Sequence, residues 1–116
     1  MSTRTLFSAQ AGDGNSAAIR AMPHPGNSVM ETVLVRGYGS WNSATVTLTV
    51  SDNANHSPST YTGMTNETGT AIGVFTADFA VNIEIPSGLW FRAEVSGSGS
   101  PQSSLTVRAT GDLEAG

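Results

Sequence analysis

Strict alternation of apolar and polar residues, in several short runs separated by turn signals, restricts this chain more than any other feature. In "TVTLTV" (45–50), "FAVNIEI" (79–85), "WFRAEV" (90–95) and "LTVRA" (105–109) the apolar residues recur at every second position. Successive side chains of a strand point to opposite faces, so such a run has one buried face and one wetted face. No stretch keeps an apolar period near 3.6 residues, so helix is expected to be minor. Many short strands divided by turns at about 8–12 residues predict an antiparallel all-β sandwich or barrel-like fold. The expectation is a single β-sandwich, jelly-roll or immunoglobulin-like, of about seven to eight short strands.

The strands are expected at 3–9, 17–22, 30–37, 45–50, around Tyr61, and at 72–76, 79–85, 89–95 and 105–109. Alternation assigns their faces. Val33 and Val35 oppose Leu34 and Arg36; Val46, Leu48 and Val50 point inward while Thr45, Thr47 and Thr49 point outward. Val81, Ile83 and Ile85 are in phase against Asn82 and Glu84. Leu89, Phe91, Ala93 and Val95 point inward, which puts Trp90, Arg92 and Glu94 on the outer face. Between the strands, "AGDGN" supplies residues that tolerate positive φ, "MPHPGNS" holds two prolines that cannot donate to a ladder, and "PSG" and "SGSGSPQSS" read as turn and loop. Residues 51–70, "SDNANHSPSTYTGMTNETGT", are polar and irregular, and loops of this length are often functional.

With 116 residues, the chain makes one domain, 1–116, with 1–5 expected as a flexible N-terminal arm and 112–116 as a flexible tail. The net charge of −4 excludes an obvious nucleic-acid function, because phosphate recognition needs clustered cations and all five basic residues are scattered arginines, at 4, 20, 36, 92 and 108. Without cysteine there is no disulfide framework and no thiol chemistry. "MSTRTLFSAQ" lacks the apolar run of a signal peptide and nothing approaches a membrane-spanning length, so the chain is expected to start here and fold in solution, away from membranes.

Candidate chemistry is sparse. His24 in "PHP" and His56 in "ANHSP" have no second ligand at metal spacing and read as solvated loop side chains. Asp52, Asn53 and Asn55 offer hard oxygens, but the central Gly and closing Glu of a calcium loop are missing, so these residues and Tyr61 form at most a ligand loop. Asp78, Glu84 and Glu94 include no readable acid pair, and no serine sits in a GxSxG elbow. The sequons at Asn55 and Asn66 read as incidental without a signal peptide. The chain is expected to be no enzyme and to hold no metal or cofactor.

The aromatics carry more information. Trp41 stands at the entrance to a strand, where a large ring caps the open end of a sandwich. Trp90, outward by alternation and beside Arg92, has the composition of an interface anchor, against the plainer alternative that a loop of its own chain shields it. The candidate interface set is Trp90, Arg92, Glu94 and Leu6, the last at the base of an arm that would order on contact.

Beyond these residues, "GSWNSATVTLTVS", the later "FTADFAVNIEIPSGLWFRAEVSGSG" and the closing "SSLTVRATG" resemble a group of small tailed-bacteriophage proteins encoded among virion structural genes. The resemblance spans about residues 31–111 and rests on strand and turn patterns: a W-x-x-A-T-V-T-L strand before a serine turn, and a P-x-G turn leading into Arg-Ala and Val-Ser-Gly. Where that group's usual Ser-Pro-Asp-Gly turn would follow Val50, this chain has the longer "SDNANHSPST". The resemblance implies a capsid decoration (cement) protein, or a neck or tail accessory protein, with a β-sandwich fold. It also implies self-assembly into trimers or larger oligomers, with a trimer expected here, binding to the major capsid protein or other virion proteins, and a place on the outer capsid surface after synthesis in the host cytoplasm. The alternative, from another class, is a carbohydrate-binding or host-adhesion module in which Trp41, Tyr61 and Trp90 stack on sugar rings.

Overall fold

The computed structural model describes residues 2–21, 30–51, 61–64, 72–86 and 88–115. These form an all-β, antiparallel sandwich of eleven short strands: β1 (Ser2–Ala11), β2 (Gly14–Asn15), β3 (Ile19–Ala21), β4 (Met30–Ser40), β5 (Thr45–Ser51), β6 (Tyr61–Gly63), β7 (Val74–Phe75), β8 (Phe79–Pro86), β9 (Trp90–Ser96), β10 (Ser104–Gly111) and β11 (Leu113–Ala115). One sheet has the order β1-β10-β4-β8; the other has the order β11-β3-β9-β5-β6, with β2 also on β9 and β7 also on β5. The count exceeds the expected seven to eight through two elements too short to read as alternating runs, β2 and β11. β2 and β3 share β9, and β6 and β7 share β5.

The alternating runs form the core. Val33, Val35, Val46, Leu48, Ile83, Ile85, Phe91, Ala93, Val95, Leu105, Val107 and Ala109 are all buried, each on its expected inward phase. Fully burying one Val, Leu, Ile or Phe side chain is worth about 1.5–3 kcal/mol, so these repeated faces supply the driving force for closing the two sheets. The break between β2 and β3 is repaired by Ser16. Its N–H donates to the Ala93 carbonyl at 2.8 Å and its hydroxyl accepts from the Ala93 N–H at 3.0 Å, so β9 loses no backbone partner there.

Trp41, half-buried, packs against the core beside Phe79, with ring centroids 6.3 Å apart, and Phe79 in turn stacks on Phe75 at 3.8 Å. Its indole N–H donates to Asp78 Oδ1 at 2.7 Å, which fits the expected capping role. The turn before β5 takes positive φ at Asn42 and Ser43, closed by the Ala44 N–H on the Trp41 carbonyl at 2.8 Å. Loop residues 97–103 are anchored to it: Gly99 N–H donates to the Asn42 carbonyl at 2.8 Å and Asn42 Nδ2 to the Gln102 carbonyl at 3.1 Å.

Both chain ends differ from expectation. Residues 3–5, expected in a free arm, pair with β10 in the register Thr3–Thr110, Arg4–Ala109 and Thr5–Arg108. Irregularities on either side of Phe7 let the consecutive Leu6 and Phe7 both turn inward, so Leu6 is a core residue and not an interface residue. At the other end, within the expected tail, Leu113 is buried and β11 pairs with β3.

Candidate functional site

Register places the candidate side chains on the outer face of the β9 sheet. Arg20 lies opposite Trp90, Thr49 opposite Arg92, Thr47 and Asn15 opposite Glu94 on its two sides, and Ser51 opposite Tyr61. Alternation along β9 therefore gives the expected face to Trp90, Arg92 and Glu94, but exposure does not follow from it. Trp90 is only 4% exposed, which corrects the expectation of an open anchor. Among the described residues Arg20 contributes to that cover, its guanidinium carbon 5.9 Å from the indole centroid while its Nε donates to the Gly88 carbonyl at 2.9 Å. Thr49 and Ser51 are buried for a related reason, since short hydroxyl side chains sit among the larger Trp90, Arg92 and Tyr61. The Ser51 hydroxyl also accepts from the Trp90 N–H at 3.0 Å.

The half-exposed part of the face is a linked set. The Arg92 guanidinium carbon lies 4.1 Å from the centroid of the Tyr61 ring. Arg92 Nε pairs with Glu94 Oε2 at 3.2 Å, and the Thr49 hydroxyl donates to the same oxygen at 3.2 Å. Residues two apart on a strand share a face, which is why Arg92 and Glu94 meet without any turn. A surface ion pair of this kind contributes about 0–1 kcal/mol, so its consequence is orientation more than stability. Burial raises the Tyr61 phenol above its ordinary range, and the charge of Arg92 opposes that shift. The arginine is thus held by its Nε and its flat face, and among the described residues no hydrogen bond engages its two terminal amino groups. A guanidinium fixed in this way is set up to receive a carboxylate or carbonyl.

The remaining candidates do not converge. Asp52, Asn53 and Asn55 lie outside the described residues, as do His24, His56 and Asn66, so of the ligand-loop candidates only Tyr61 is placed. Asp78 is engaged by Trp41, Glu84 projects from the β4-side sheet, and Glu94 belongs to the opposite sheet, so no acid pair forms among them. Among the described residues no group of three or more potential ligands could hold a metal ion. A groove of about 460 Å³ opens between the edge strands β6 and β8, lined by Val50, Thr62, Gly63, Met64, Ile72, Glu84, Ile85 and Pro86. Among its described lining residues there is one carboxylate, Glu84, and no nucleophile-base pair. For sugar stacking, Trp90 offers no open ring, and Trp41 is half-buried against Phe79.

The sequence signal that would have found Tyr61 beside Arg92 is weak, because it depends on the pairing of β6 with β5 and of β5 with β9. No protein-family model, curated protein or solved structure matches the chain.

Proposed function

We propose that this chain is a non-enzymatic virion structural protein of a tailed bacteriophage. In this reading it is a capsid decoration protein that binds the major capsid protein, self-associates as a trimer and reinforces the shell. The observation that carries the docking part is the Arg92 guanidinium, stacked on Tyr61 and tethered to Glu94 with donors left over among the described residues. Arg and Tyr are enriched at binding hot spots, and pre-ordering an arginine lowers the entropy lost when a partner arrives. The virion part rests on the resemblance of the strand and turn patterns. A decoration protein performs no chemistry; contacts of standard size, repeated over a symmetric shell, add up to a large stabilisation.

Quantitative mass spectrometry of purified particles tests this directly. Hundreds of copies per particle are expected, whereas a few to a few tens would move the protein to the neck or tail. Absence from clean particles would overturn the reading. Within particles, Arg92→Gln is expected to reduce occupancy without unfolding the chain.

A further inference from the structure

The outer face of the other sheet carries a charge arrangement that folding alone does not favour. Arg36 on β4 lies directly opposite Arg108 on β10, in a row completed by Thr5 on β1 and Ala80 on β8. Like charges directly opposed across strands destabilise a sheet. Both arginines are exposed, and among the described residues neither meets a carboxylate. By register the acid on this face, Glu84 opposite Thr32, lies beyond the Leu34–Asn82 row.

The pair heads a depression of about 320 Å³ lined by Thr3, Arg36, Tyr38, Arg108 and Thr110. The Thr3 and Thr110 hydroxyls hydrogen-bond each other at 2.9 Å, which uses one of their two protons and leaves the other to donate. Tyr38 is 41% exposed and Leu34, on the neighbouring row, 36%. Two permanent cations, hydroxyl donors and an aromatic and aliphatic flank therefore converge on one shallow site. We propose that this face is a second docking surface, on which Arg36 and Arg108 together receive a side-chain carboxylate from an acidic segment of a partner protein.

Charge complementarity selects the occupant. Two paired guanidinium groups suit one or two carboxylates, and an anion placed between them removes the repulsion they suffer in the free protein. A nucleic acid needs a longer cationic track, yet Arg20 and Arg92 belong to the opposite sheet and the whole chain carries −4. That the carboxylate belongs to a protein rests on the docking-module reading above; the site's preference for a carboxylate does not. Docking surfaces on both outer faces would let one copy bridge two neighbours.

The test is a nuclear magnetic resonance titration of the full chain at low ionic strength, following backbone amides and arginine side chains. The probe is a capped peptide of glutamate and tyrosine, with a glutamine-for-glutamate control peptide and inorganic phosphate alongside. Saturable shifts are expected at Arg36, Tyr38, Arg108 and Thr110, with at least tenfold weaker binding for R36Q/R108Q and none for the control peptide. Unchanged binding by R36Q/R108Q, equal binding of the control peptide, or phosphate matching the glutamate peptide at equal concentration would each overturn the proposal. Concentration-dependent shifts on this face without peptide would also overturn it, by making a second copy of the chain the occupant. The virion reading fails on a different measurement, absence from particles, and a positive titration would survive that result.

Discussion

Arg92 lies face-on to Tyr61, its guanidinium carbon 4.1 Å from the ring centroid, although the two residues sit on strands separated by β5. Contact across the intervening strand is possible because both side chains are long and both point to the outer face. A double-mutant cycle of Arg92→Ala and Tyr61→Ala, read by chemical denaturation, is expected to give a coupling of about 0.5–1 kcal/mol, the usual size for a cation over an aromatic face near solvent. A coupling of zero would show that the stacking does not orient the arginine in solution.

The same contact has a pH signature. Burial raises the Tyr61 phenol above its ordinary 10.0, with the Arg92 charge opposing. In the unfolded chain the phenol returns to its ordinary value and loses its proton first. The unfolded state then holds fewer protons than the folded one, so stability is fully present below about pH 10 and is lost as pH rises through the folded value. Melting temperature measured across this alkaline range should fall less steeply in Tyr61→Phe than in the parent chain. Equal slopes would remove Tyr61 as the source.

Trp90 shows where the residues speak and where they do not. Alternation along β9 correctly separates Phe91, Ala93 and Val95 from Trp90, Arg92 and Glu94, because the two faces of a strand are a local property. Whether an outer face meets water depends on what the rest of the chain lays over it. Here the described part of that cover is Arg20, brought opposite Trp90 by the pairing of β3 with β9. The core faces of β4, β5, β8, β9 and β10 were legible for the same reason that the cover was not. The arrangement around Leu6 was hidden because a bulge breaks the period that would have been read, and β11 because three residues carry too little alternation to register. The Arg36–Arg108 pair is invisible to any single-strand reading, since it exists only through the β4–β10 register.

Burial of Trp90 changes what its removal can report. Trp90→Ala is expected to cost about 3–5 kcal/mol of folding stability, the range for truncating a buried aromatic. Loss of partner binding by that variant would therefore reflect unfolding, and Arg92→Gln is the informative substitution at this face. Thermal denaturation of Trp90→Ala checks the point; a change below about 1 kcal/mol would mean that the indole is not packed in the folded chain.

Phe79 occupies the space above Gly37, its register partner on β4, so that a Cβ at position 37 would overlap the Phe79 ring. Phe79 is itself held between Phe75 and Trp41, which limits its retreat. Gly37→Ala is expected to destabilise the chain by about 1–3 kcal/mol through overpacking. Adding Phe79→Leu should recover part of that loss, since the smaller side chain vacates the contested volume. Additive losses in the double variant would place the cost in the backbone and not in the ring.

The Arg36–Arg108 pair leads to the opposite expectation, a gain from a surface substitution. Replacing Arg108 by Thr keeps a good strand former opposite Arg36 and removes the cross-strand repulsion, so stability should rise by roughly 0.2–1 kcal/mol. The gain should shrink as salt is added, because exposed charges within a Debye length of each other are screened. Denaturation at low and high ionic strength measures both quantities. A neutral or destabilising Arg108→Thr at low salt would mean that the two guanidinium groups already share a counter-charge. A salt-sensitive gain joined to weaker binding of a glutamate peptide would identify the pair as one that favours recognition over stability, the trade expected of a site kept for a partner.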